Sequence, residues 1–397
     1  MSDAFEKIVE REQSVFAPGV RRWPLALVRG EGSRVWDIDG REYIDLTAGW
    51  GVTVIGHCHA EVADALADQA RTLIQTTNVV YTREQLDLAE RLERITPANI
   101  RRAFFVSSGA EANEGALKLA HRATGRARFV ATRGSFHGRT LGAMGVLGQE
   151  KYRKRWSALI HEARFVPYGD LASARAALDR DVAAFIVEPV QGEGGVHVPP
   201  DDYLPGLADA CHAVGALLIL DEIQTGIGRT GRWLAADYSG VQPDILTLGK
   251  GLGGGVPIAA FLATDGVMAT IEPGDHGGTY AGNPLCARAA CTVLDVIERE
   301  SLVARADRLG TRIRDRLTAL ADRHPGRIEQ VRGRGLLIGL VLRDPSFAAE
   351  VHPSTRERGV LVNLSAERVL RLFPALNIPE SDLDEALEVL EEVIAEA

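Results

Sequence analysis

Cysteine is scarce in this chain. Four occur among 397 residues, Cys58, Cys211, Cys286 and Cys291, without a Cys-x-x-Cys pair. That spacing argues against a disulfide framework and against a zinc site. No segment approaches the ~20 uninterrupted apolar residues a membrane span requires. A basic excess is also missing: 45 Lys and Arg stand against 54 Asp and Glu, for a formal charge of −9. The charge is spread over both halves, so a polyanionic nucleic acid is not an expected partner. The first ten residues are charged and lack the apolar centre of a secretory leader. These absences lead to the expectation of a reduced, cytoplasmic, soluble protein that binds no metal.

What is present is enough apolar material for a large core, 46% of the residues in a chain long enough for two domains. From about Arg102, short apolar runs alternate with helical patterns. The runs are 103–106, 127–131, 163–166, 183–188, 216–221, 245–248 and 258–263, and 111–122, 172–179 and 205–214 are among the amphipathic stretches between them. Seven strands covered by helices predict a doubly wound α/β domain with a mostly parallel sheet. After Pro284 the pattern changes to helices over 285–300 and 303–323, then short strands around 328–331, 336–341, 359–363 and 369–373, and a last acidic helix capped by Ser381. This is a smaller α+β domain. A hairpin-like piece between Ala26 and Gly40 is expected to pair with it. The expected organisation is therefore an N-terminal segment 1–45 packing with the small domain, a large domain over 46–284 and the small domain over 285–397.

Ligands of open α/β sheets bind at the carboxyl ends of the strands, so the residues there carry the functional reading. The run Ala216-Leu-Leu-Ile-Leu-Asp221 ends in an acid, and a later run ends at Lys250, followed by Gly-Leu-Gly-Gly-Gly. A carboxylate and a lysine at neighbouring strand ends can hold opposite sides of one flat, charged cofactor. Pyridoxal phosphate meets that description: its aldehyde needs an amine and its ring nitrogen needs a carboxylate to stay protonated. Three further strand ends agree. Ser107-Ser-Gly-Ala-Glu-Ala-Asn113 opens a helix and suits a phosphate, or is simply a serine-capped helix. Phe136 stands on a loop where an aromatic can stack on a ring, beside His137 and Arg139, each a ligand contact or a solvated loop residue. Glu188-Pro-Val-Gln-Gly-Glu193 puts two acids on a glycine-dense loop.

Taken together, these segments with Leu220-Asp-Glu-Ile-Gln-Thr-Gly226, Gly228-Arg-Thr-Gly231, Gly249-Lys-Gly251 and Gly278-Thr-Tyr-Ala-Gly-Asn-Pro284 resemble the class III pyridoxal-phosphate aminotransferases, in order and over nearly the full chain. Within that class, Pro273-Gly-Asp-His-Gly277 and Leu370-Arg-Leu-Phe-Pro-Ala-Leu-Asn377 are most similar to acetylornithine aminotransferases. The resemblance implies a fold-type I transferase. It also implies that Ser108 and Gly109 hold the cofactor phosphate, Phe136 covers the ring, Asp221 pairs with the ring nitrogen, Gln224 approaches the phenolic oxygen and Lys250 is the Schiff-base lysine. Thr279 matches a residue that reaches the phosphate of a neighbouring subunit, implying a homodimer with shared sites. Arg139 and Arg371 match the two carboxylate-binding arginines, and Glu193 an acid that pairs with Arg371 when an ω-amino substrate is bound.

The implied reaction moves an ω-amino group, most simply that of N-acetylornithine, to 2-oxoglutarate, giving a semialdehyde and glutamate. Ornithine, succinylornithine, 4-aminobutyrate, diamine and carrier-linked lysine aminotransferases share the cofactor residues. A racemase or aminomutase on the same scaffold would not need the Arg371 and Glu193 switch, and a binding protein with a relic pocket would not need all the chemical groups. Gly278, Ala281, Thr53 and Ala60 depart from the acetylornithine pattern, and Trp50 brings an indole near the expected pocket mouth. These differences bear on which acyl group, if any, the donor carries.

Overall fold

The computed structural model describes residues 2–397. Three sheets organise it. The largest has seven strands in the spatial order Arg102–Val106, Ala259–Ala263, Ile245–Leu248, Leu217–Asp221, Val182–Val187, Arg128–Thr132, Arg164–Val166. All seven expected apolar runs are in it. Only Ala259–Ala263 runs antiparallel to its neighbours. Because that strand is reversed against both sides, Arg102–Val106 points the same way as the rest, and six carboxyl ends share one edge. Strands such as Val182–Val187 and Ala259–Ala263 are buried throughout, which is why they read as unbroken apolar runs rather than alternating ones.

The helix Gly109–Thr124 lies on this sheet so closely that a Cβ at Gly115 would stand 2.3 Å from the Phe261 ring. Its amino end carries a full capping box, with Glu111 N–H donating to Ser108 Oγ and the Glu111 carboxylate accepting from the Ser107 and Ser108 amides.

The other two sheets have four strands each. Leu27–Glu31, Arg34–Asp37 and Glu42–Asp45 form a meander whose last strand pairs in parallel with Val360–Leu361. The second is antiparallel, in the order Ile328–Arg334, Leu337–Leu342, Val369–Leu372, Asn363–Ser365. The single strand expected over 359–363 is thus two strands in different sheets. Ser381 is not the cap of the last helix: Glu380–Glu396 begins one residue earlier, after Pro379, with no side-chain cap. Helices Asp3–Val15, Ala60–Thr72, Arg83–Ile95 and Pro345–Glu357 have no counterpart in the sequence reading. The first buries no residue, whereas the third carries Leu88, Ala89, Leu92 and Ile95 at helical spacing against the core, a stripe the sequence reading did not use. All four cysteines are free thiols. Among the described residues no helix is long and apolar enough to cross a membrane.

Candidate active site

The shared strand edge gathers most of the polar residues expected there. Asp221, the last residue of its strand, is buried and held by three donors, Asn113 Nδ2 at 2.8 Å and His137 Nδ1 at 2.7 Å on Oδ2 and the Ile223 amide at 3.0 Å on Oδ1, which leaves acceptor capacity on Oδ1. Asn113 is held in turn, donating also to the His137 carbonyl and accepting from Thr247 Oγ1 at 2.9 Å. Three hydrogen bonds from neighbouring segments thus fix its position on the buried edge. Asn113 and His137 therefore position Asp221, a task the sequence reading gave to neither: it offered His137 as a ligand contact or a solvated loop residue and left Asn113 without a role of its own. The only signal was a polar side chain on the buried face of an alanine-rich helix.

Lys250 follows Ile245–Leu248 with φ of 44°, a left-handed conformation that a non-glycine residue adopts only when its surroundings impose it. Its Nζ donates to Gln224 Oε1 at 2.5 Å. Burial lowers the lysine pKa, Arg371 lowers it further, and the carboxylates of Glu193, Asp221 and Glu188 oppose the shift. Gln224 Nε2, which has no hydrogen-bond partner among the described residues, faces Gly51, where a Cβ would stand only 2.5 Å away. Gly51 has φ of 79° and follows Trp50 at 66°, in a left-handed run from Ala48. Trp50 is 41% exposed and leans on Trp23 at 5.7 Å.

Arg371 is wholly buried. Its Nη2 meets Glu193 Oε1 at 2.5 Å, its Nε donates to Asn363 Oδ1 at 3.0 Å, and its Nη1 has no protein partner. Glu193 resists the burial that would raise its pKa, because the charges of Arg371 and Lys250 hold it below the usual carboxylate range. Between Arg371 and Gln224 lies Gly192: a Cβ there would come within 3.0 Å of Gln224 Cγ and 3.4 Å of Arg371 Nη1. Glu188 supports the same loops, accepting from the Phe136 and Gly192 amides, and burial pushes it up to about 7. Arg139 is exposed, its guanidinium 6.0 Å from the centre of the partly buried Phe136 ring.

Ser108 and Gly109 form the start of their helix at this edge, and the first-turn amides of Gly109 and Ala110 have no intrahelical acceptor by geometry. Gly278 and Thr279 are different. They lie on an exposed segment, Thr279 accepting through its carbonyl from Gln75, and neither hydrogen-bonds to the Lys250 cluster among the described residues.

The profile of the family Aminotransferase class-III matches residues 15–394. The chain is a class III aminotransferase. It is 44% identical to an acetylornithine aminotransferase of Methanothermobacter thermautotrophicus, over 98% of this chain and 99% of that one. It is 45% identical to one of Mycobacterium tuberculosis, over 94% and 93%. Among solved structures, ornithine aminotransferase from Toxoplasma gondii superposes with a TM-score of 0.94 at 34% identity, covering 99% of this chain and 95% of that one. Acetylornithine aminotransferase from Elizabethkingia anophelis gives 0.87 at 32%, covering 99% of both. As a class III aminotransferase the enzyme takes an amino donor and a keto-acid acceptor and depends on pyridoxal phosphate. The residues fit that cofactor: a buried amine of lowered pKa, a carboxylate fixed by three donors with acceptor capacity left on Oδ1, a helix amino end and donors on Gln224 and Arg371 without partners among the described residues converge on one strand edge.

Proposed function

We propose that this aminotransferase moves the ω-amino group of N-acetylornithine to 2-oxoglutarate, releasing a semialdehyde and glutamate, with Lys250 as the catalytic lysine. The observation that carries the reading is the Arg371–Glu193 pair, held at 2.5 Å and electrostatically coupled to Lys250. Paired with Glu193, Arg371 is masked, which suits a donor with no carboxylate at that end. Released, it offers a bidentate fork to the α-carboxylate of glutamate or 2-oxoglutarate. Arg139 would receive the carboxylate at the far end of either substrate.

Pyridoxal phosphate, when bound, supplies an aldehyde that takes up an amine and a ring that withdraws electrons from the neighbouring carbon. Ser108 and the amide of Gly109 would hold its phosphate, Phe136 would cover its ring, Asp221 would pair with the ring nitrogen and Gln224 would meet the phenolic oxygen. Asn113 and His137 hold the Asp221 carboxylate in position beforehand. Burial loosens the proton on Lys250 Nζ, which equips this amine to take a proton from the substrate carbon and return it. Trp50 would border the donor of its own subunit, and Gly278, beside Thr279, that of the partner subunit.

Homologues of 44–45% identity that are named for acetylornithine support the donor. The close superposition on ornithine aminotransferase supports a second reading, in which the donor is unacylated ornithine. A homodimer is part of the proposal, with Thr279 reaching the partner's phosphate site. Exposed Ile74, Val79, Val80, Tyr81, Leu86 and Tyr280 support it, as does a groove of about 490 Å³ lined by residues 78–82 and 103–105.

The test is the first half-reaction. Purified holoenzyme is mixed with N-acetylornithine, ornithine, 4-aminobutyrate and putrescine, and the absorbance of the bound cofactor is followed. The fastest response is expected with N-acetylornithine; a faster response to ornithine would favour the second reading. Lys250→Ala is expected to abolish turnover with every donor, and normal turnover would remove Lys250 from its role.

A further inference from the structure

Arg139 is exposed and, among the described residues, makes no hydrogen bond or ion pair. A long side chain of this kind loses rotamer freedom when it grips a ligand, unless another group holds it beforehand. The structure supplies such a group. Arg139 Cζ lies 4.5 Å from the centre of the Tyr152 ring, closer than the 6.0 Å to Phe136, and within the range of a cation–π contact. The two rings meet edge to face at 6.1 Å and 86°.

The backbone beneath both rings is tied down on either side. The Phe136 amide is bound to Glu188, and Arg153, next to Tyr152, donates to Glu162 at 2.8 Å and lies 4.2 Å over the Phe165 ring. Lys151 Nζ is 5.1 Å from the Tyr152 ring as well. One tyrosine therefore gathers two cations at the side of the site where no protein carboxylate answers Arg139.

We infer that Tyr152 is a positioning residue that pre-sets Arg139 and thereby tunes the preference for amino donors that carry a carboxylate. The inference rests on the reading of Arg139 as a carboxylate receptor. It is the face of the ring that acts, through its quadrupole, rather than the phenol hydroxyl. Phenylalanine should therefore substitute for Tyr152 and aliphatic residues should not.

The experiment uses the holoenzyme with Tyr152→Phe, two non-aromatic variants, Tyr152→Leu and Tyr152→Met, and Arg139→Met as a control. Two quantities are read: kcat/KM for N-acetylornithine relative to putrescine, which has no carboxylate, and the Kd of glutarate by calorimetry, which needs no turnover. Both non-aromatic variants are expected to lower the ratio and weaken glutarate about five-fold, the size of one partly exposed cation–π contact. Tyr152→Phe is expected to restore both values. A ring that served only packing would instead depress both substrates together and leave the ratio alone. If the ratio and the glutarate Kd hold in the Leu and Met variants but collapse in Arg139→Met, the inference fails and the reading of Arg139 stands. If they also hold in Arg139→Met, that reading fails and takes the inference with it.

Discussion

Two carboxyls beside the site, Glu193 and Glu222, are pushed in opposite directions. Cations hold Glu193 down against its burial, so it stays charged and can mask Arg371. Glu193→Gln removes that mask, and the ratio of kcat/KM for the ω-amino donor to that for 2-oxoglutarate is expected to fall about ten-fold, the worth of one charged hydrogen bond. An unchanged ratio in steady-state kinetics would remove the switch. For Glu222, burial pushes the pKa up to about 7 and the charge of Asp237 adds to it, although Thr225 and the Ala235 and Ala236 amides donate to it. With its folded pKa above the ordinary value, the native state binds more protons between the two. Its stabilising share is present at low pH and is lost as pH rises through about 7. Thermal melts should show wild type losing stability relative to Glu222→Gln between about pH 5 and about pH 8, and a flat or rising difference would contradict this. Asp221 and Lys250 were legible because a charged residue closing an apolar run stands out in one dimension. Their supporters were not: the left-handed turn at Trp50 and the donors from Asn113 and His137 arise only when distant segments meet.

At the scale of single elements, close approach decides more than propensity. Ala normally exceeds Gly by up to about 1 kcal/mol within a helix. At position 115 the added methyl would meet the Phe261 ring at 2.3 Å, and overpacking of a tight core costs about 1–3 kcal/mol. Gly115→Ala is therefore expected to melt below wild type by calorimetry; a higher melting temperature would show that the helix has room to lift. The seven sheet strands were readable because burial on both faces leaves a plain apolar run. Around 359–365 the same signal misled, since Val360–Leu361 and Asn363–Ser365 share one stretch of sequence but serve two sheets. Asp3–Val15 does carry apolar residues at helical spacing, at 4, 5, 8 and 9, yet buries none of them, so its pattern marks no core for it to join.

For the whole molecule, the exposed apolar groove around Tyr81 makes association the measurable property. Tyr81→Asp places a charge in the proposed subunit contact and is expected to shift sedimentation from dimer toward monomer, with loss of activity if sites are shared. A wild-type monomer would end that proposal. The chain's length and its change of pattern after Pro284 made two kinds of architecture foreseeable, but not how intimately the two ends are joined. Glu42–Asp45 pairs with Val360–Leu361, and Phe373, Leu376 and Asn377 bond to Leu46, Val54 and Ile55. A polypeptide leaving the ribosome carries the first of these segments outside long before the others have been translated. The left-handed turn that faces Gln224 must then wait, without its backing, until the final few dozen codons are read. Growing chains released early should accumulate as species that cannot retain vitamin B6, however well their seven-stranded sheet has formed.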